Sequence, residues 1–214
     1  MREAFRVPHL SAGPDDVSGI LSQLTATRAD REFLAGVELH LPRLHDLFRR
    51  LYGDRPDGLE RLASVVDLAR RSWAERPAGL KDVDRERAST PDWFESERML
   101  GGVCYADRYA GGLRGIRESI PYFRELGLTY LHLMPLFECP EGNSDGGYAV
   151  SSYRRVNPAV GTMEELADLA ADLRRAGISL VVDFIFNHTS NEHAWAQKAV
   201  CLLYTSDAAD ERSS

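Results

Sequence analysis

The chain has 214 residues, 26 Lys and Arg against 33 Asp and Glu, a formal net charge of −7 and 43% hydrophobic residues. This is the composition of a soluble globular protein, which excludes collagen, coiled coil and disorder, and the acidic balance speaks against nucleic acid or an anionic membrane as main partner. No apolar run reaches the roughly 18 residues of a membrane span, the start MREAFRVPHL has no apolar signal core, and Cys104, Cys139 and Cys201 lack C-x-x-C spacing, so a reduced, cytoplasmic protein without a disulfide framework is expected.

The first hundred residues predict helices. From Asp15 to about Leu41, the residues Leu21, Leu24, Phe33, Leu34 and Val37 suggest one or two. Leu44, Leu47, Phe48 and Leu51 fall at i, i+3, i+4 and i+7, with Gly53 as a stop and Pro56 beyond it. Leu59, Leu62, Val66, Ala69 and Trp73 form a second stripe that ends at Pro77. Both stripes read as the core of a helical bundle, and a helical domain is expected over residues 1–98.

The pattern changes near Met99. Gly101 to Asp107 is a short apolar run, followed by the turn Ala110-Gly111-Gly112. Ile116, Ile120, Tyr122, Phe123 and Leu126 give a helical face, and Gly127 to Leu136 reads as a buried strand. A long Gly/Ser/Pro-rich loop then runs from Glu138 to Asn157. Thr162 and Glu165 form a capping box that starts a helix running to about Ala176, with Gly177 as its stop. ISLVVDFIF, residues 178–186, is the strongest strand signal, apolar on both faces as in a covered parallel sheet. The order β-α-β-loop-α-β is the alternating α/β pattern of a parallel barrel or a doubly wound sheet. Spacing alone does not choose between them. The polar residues Asp107, Arg108, Asn187 and His188 follow strand ends, where (β/α)8 barrels build their active sites.

Residues 183–188 read D-F-I-F-N-H, and the D-x-x-x-N-H pattern at a strand end resembles the first signature region of the α-amylase family, glycoside hydrolase family 13. The longer segments GGVCYADRYAGGLRGI, LMPLFECPEGNSDGGYAVSSYR and AGISLVVDFIFNHTSNEHAWAQ resemble its amylosucrase group, as does the helical segment before them. The resemblance implies an α/β fold: an N-terminal helical domain followed by the first three β/α units of a TIM (β/α)8 barrel, over residues 99–199. It implies a retaining transfer of glucose from sucrose to α-1,4-glucan with release of fructose. Sucrose and α-glucan would be the partners, with no nucleic acid, membrane or cofactor.

By motif position, Asp145, Tyr148 and His188 correspond to the glucose-binding subsite. Asp145 would accept hydroxyl hydrogen bonds or pair with an arginine, Tyr148 would stack on the ring, and His188 would bond a hydroxyl near the reacting carbon. Asp183 would be a structural partner of these residues. Asn187 matches a calcium ligand of calcium-bearing amylases, but amylosucrases are not generally calcium enzymes, so no metal is expected. His132, His193 and Trp195 read as structural. Gly112 stands where the family usually has Asp, a departure expected to cost a few tenths of a kcal/mol at an N-cap.

A complete barrel needs about 250 residues. Residues 200–214, VCLLYTSDAADERSS, do not resemble the family and are expected to be a non-native tail like an adapter read in frame. The nucleophile and acid/base carboxylates of the family lie on later strands, so this chain is expected to be an inactive fragment. A sucrose hydrolase, another α-amylase-family glucosidase or a trehalose synthase are alternatives within the same chemistry. A non-catalytic binding protein on the same fold is the alternative of another class.

Overall fold

The computed structural model describes residues 17–26, 30–53 and 55–201. Apart from residues 200 and 201, the expected non-native tail lies outside the described residues. Contacts divide the chain into two units, Met1–Thr90 and Pro91–Ser214.

The first unit is helical: α1 (Val17–Ala26), α2 (Arg31–Tyr52), α3 (Gly58–Glu75) and α4 (Ala78–Ser89). Asp30 caps α2, its carboxylate accepting from the backbone N–H groups of Glu32 and Phe33. The core joins Ile20 and Leu24 of α1, Leu41 of α2, and Leu62, Ala63 and Val66 of α3. The bundle-core reading of the two stripes holds only in part. Leu44, Leu47 and Leu51 are exposed, as are Val65 and Ala69, because α2 meets its neighbours through Phe33, Val37 and Leu41. Helix α4, which follows Pro77, was absent from the periodicity because it buries no residue.

After a short 3-10 turn at Trp93–Glu95, the second unit runs through β1 (Gly101–Tyr105), α5 (Leu113–Glu118), α6 (Ile120–Glu125) and β2 (Tyr130–Met134). The predicted single helix is broken at Ser119, because Pro121 cannot donate the backbone bond that would continue it. The predicted loop contains a small antiparallel pair, β3 (Phe137–Glu138) and β4 (Ser152–Val156). Arg155 Nη2 of β4 approaches Glu138 Oε2 at 2.6 Å. Then come α7 (Met163–Arg175), with its capping box formed by Thr162 and Glu165, and β5 (Ser179–Val182). Residues 194–201 are helical.

Strands β1, β2 and β5 form one parallel sheet with β2 in the middle. Helices α5, α6 and α7 cover one face. There Leu131, Leu133, Ile116, Phe123, Leu169, Leu173 and Ile178 are buried together. Leu169 and Leu173 fall at i and i+4 on α7, so one helix stripe seals the sheet.

The expectation that the last strand is buried on both faces is corrected. Val103 is 60% exposed and Val181 39%, because no helix covers their face among the described residues. The strand is also shorter than predicted. Pairing stops at Val182, and residues 183–186 leave the sheet towards the site.

Candidate active site

Period-two alternation sets the floor of the site. Leu131 and Leu133 face the helices, so His132 faces the opposite way, in register with Val103 on β1 and Val181 on β5. All three strands are parallel, so their carboxyl ends lie at one edge. Tyr105, Met134 and Asp183 mark that edge.

The chain between β2 and β5 returns to the same edge. Residues Asp145–Gly147 make a short 3-10 turn in which Asp145 has φ 51°, a left-handed conformation Asp tolerates better than most residues. Gly147 has φ 97°, and a Cβ there would lie 2.3 Å from Pro135 Cγ, so only glycine lets the turn settle on the end of β2. Ser190 N donates to Val150 O at 2.9 Å, and Tyr153 donates its hydroxyl to Ile185 O at 2.5 Å. The Tyr153 ring stacks on Phe184 with centroids 4.6 Å apart, and Phe137 meets both rings edge-on. These ties fasten the loop to the segment after β5.

The fastening brings the sequence-predicted residues to one place. His188 Nε2 lies 3.9 Å from Asp145 Oδ2. That is too long for a hydrogen bond, and Asp145 is 77% exposed, so the pair contributes little by itself. Both side chains remain available to a ligand. Tyr148 follows the turn and faces Asp183. Burial first, then the Asp183 charge and a hydrogen bond to that carboxylate, push the Tyr148 phenol above its ordinary pKa. Asn187 is exposed beside His188. Among the described residues, no group of three His, Cys, Asp or Glu side chains could hold a metal ion.

One residue that reaches this edge from the middle of β2 escaped the sequence reading. His132 Nε2 lies 2.8 Å from Asp183 Oδ1. The signal was present: a polar side chain between two leucines of a buried strand must face away from their core. A second cluster, Phe137, Tyr153 and Phe184, also escaped, since its members come from three separate segments.

The edge therefore offers the carboxylates of Asp145 and Asp183, the His188 imidazole and the Tyr148 hydroxyl beside aromatic rings. Such a set can hydrogen-bond several hydroxyls of a small polyol and stack on its apolar face. A well-formed groove lies elsewhere among the described residues, in the helical unit. It measures about 560 Å³ and is lined mainly by apolar side chains such as Phe33, Val37, Val66 and Trp73.

Comparison with known proteins places the chain in a family. The family described as "Alpha amylase, catalytic domain" matches residues 76–210. The chain belongs to the α-amylase family. Maltase A2 of Drosophila melanogaster is 37% identical over 90 residues, which are 42% of this chain and 16% of that protein. Trehalose-6-phosphate hydrolase of Escherichia coli is 34% identical over 90 residues, with the same coverage of 42% and 16%. The solved trehalulose synthase of Pseudomonas mesoacidophila is 31% identical at a TM-score of 0.43, covering 47% of this chain and 19% of that one. The chain thus spans 16% of the length of these two curated relatives. The α-amylase family identity fits the sheet as part of a TIM barrel. Three parallel strands carry their helices on one face, and the polar residues gather at the carboxyl edge.

Proposed function

We propose that this chain supplies the glucose-holding part of a retaining α-glucosyl-transfer site that takes sucrose, releases fructose and passes glucose to an α-glucan. The observation that carries the reading is the convergence of Asp145, Tyr148 and His188 at the carboxyl edge of the sheet, beside Asp183. The sucrose assignment is supported by the segment LMPLFECPEGNSDGGYAVSSYR, which resembles the amylosucrase group.

Each residue has a role that follows from its chemistry. Asp145 accepts hydrogen bonds from glucose hydroxyls, and a charged acceptor bonds about twice as strongly as a neutral one. Tyr148 gives the sugar ring a flat apolar face. His188 donates to a hydroxyl next to the anomeric carbon, a bond that strengthens as oxocarbenium character develops. In a retaining displacement one carboxylate attacks the anomeric carbon and a carboxylic acid about 5 Å away protonates the leaving oxygen. We assign neither role to Asp145 or Asp183, and the 214-residue chain alone is proposed to be inactive.

A second reading has its own support. The similar proteins include a maltase and a trehalose-6-phosphate hydrolase, which favours an α-glucosidase acting on a glucose disaccharide.

The test offers sucrose, maltose and trehalose to the protein carrying this chain within a complete barrel. Fructose release in excess of free glucose, with growing glucan, is the expected result. Equal fructose and glucose would make it a sucrose hydrolase. Turnover of maltose or trehalose without sucrose would establish the second reading. No turnover of any substrate, with saccharide binding kept, would make it a binding protein. His188→Gln should lower kcat by about 10²-fold, the usual cost of losing one transition-state donor.

A further inference from the structure

We propose that His132 is a positioning residue of this site: it donates from Nε2 to Asp183 and so orients the carboxylate against which Tyr148 is set. The sugar-binding role of Tyr148 rests on the proposed function, whereas the link from His132 through Asp183 to Tyr148 does not.

Three observations carry it. His132 sits mid-strand on β2, flanked in register by Val103 and Val181, so its imidazole has aliphatic neighbours on both sides. Its Nε2 lies 2.8 Å from Asp183 Oδ1, with side-chain exposures of only 25% and 28%. An ionised carboxylate has no proton to give, so the imidazole is the donor. Second, Asp183 is the first residue beyond the last paired residue of β5, where ladder hydrogen bonds no longer fix the backbone. A charge-assisted side-chain bond to the neighbouring strand is what holds its carboxylate in one orientation. Third, Tyr148 is the loop residue set against that carboxylate, whose charge and hydrogen bond add to burial in holding the phenol above its ordinary pKa. His132 thus links the centre of the sheet to a loop residue, touching no ligand itself. A histidine that merely filled space would need no particular protonated nitrogen and would leave Tyr148 unaffected.

The experiment uses the full chain with its histidines labelled with ¹⁵N and its tyrosine rings with ¹³C. Long-range ¹H–¹⁵N correlation should show His132 protonated at Nε2. In His132→Leu the Tyr148 ring signals should move well beyond any change at Tyr122, an exposed ring on α6, and His132→Gln, whose amide can donate to Asp183, should bring them back. Where sucrose binding is measurable, His132→Leu should weaken it about tenfold, the loss of one ordinary interaction, and His132→Gln should restore it. A bare Nε2 in the unsubstituted chain would overturn the proposal. So would Tyr148 signals that ignore His132→Leu, or move equally in Leu and Gln variants. If His132→Leu does not fold, the protonated nitrogen and the His132→Gln spectrum decide. Movement of Tyr148 as expected, with no sucrose response in any variant, would uphold the positioning link and sink the saccharide reading instead.

Discussion

Tyr148 and Tyr153 tie the loop to the segment after β5, and burial is the leading cause that holds both phenols above their ordinary pKa. A raised value in the folded state means that the folded chain keeps a proton that the unfolded chain loses near pH 10. The stability this linkage provides is complete below that pH and is lost as pH rises through the folded values. Urea unfolding at pH 9 and pH 11 should therefore show a decline, and Tyr148→Phe with Tyr153→Phe should flatten it. An unchanged decline in the double variant would contradict the two half-buried phenols as its cause.

The opposite sign applies at Asp57. The Arg55 and Arg61 guanidiniums hold its carboxyl far below the usual carboxylate range. Its contribution is present above about pH 4, the unfolded value, and fades as pH falls further. Asp57→Asn should flatten the loss of helical circular dichroism between about pH 4 and pH 2. An acid transition as steep as in the unsubstituted chain would refute it. At this scale, Asp145, Tyr148 and His188 could be singled out because their neighbours in sequence form a motif, and their sugar-binding role is the proposal made above. For His132 the alternation along β2 shows which face it takes, but nothing in the sequence shows that Asp183 will meet it there.

At the scale of elements, glycines decide where turns can close. Gly112 has φ 113°, and a Cβ there would lie 2.4 Å from Val160 O. Here it is a side chain, not the glycine, that would be costly, because the backbone carbonyl of another segment occupies the space. Gly112→Ala should cost about 2 kcal/mol or more, from strain plus overpacking. Gly146→Ala, at φ 65° with open space around it, should cost about 1 kcal/mol. Equal losses in urea unfolding would contradict the clash. Thr162→Ala should cost about 1 kcal/mol by removing the capping box of α7. That helix was fully legible, since its cap, its apolar stripe and its glycine stop are all local. The β3–β4 pair was not, because a two-residue strand leaves no periodicity to read. Nor was the break at Ser119, because the apolar spacing runs on through Pro121.

Across the whole molecule, the alternation of strands and helices was legible, but which sheet face would be covered was not. A strand apolar on both sides shows only that both sides avoid water well. Val103, Tyr105, Val181, Phe184 and Phe186 are exposed, the last at 88%. Adjoining apolar side chains of this kind mark an interaction surface or an association hazard. The chain should bind a hydrophobic dye and associate with rising concentration. Phe186→Ser with Val181→Thr should lower both while changing unfolding free energy by less than about 1 kcal/mol, as for surface substitutions. A monomeric, dye-silent chain would contradict the open face.

The central claim is that saccharide meets this chain at the carboxyl edge of its sheet. The most direct test is a titration of the labelled chain with sucrose, followed residue by residue by ¹H–¹⁵N correlation, with fructose alone as control. The account predicts that sucrose shifts Asp145, Tyr148 and His188 and that fructose does not. Shifts confined to the groove of the helical unit, around Phe33, Val66 and Trp73, would contradict it.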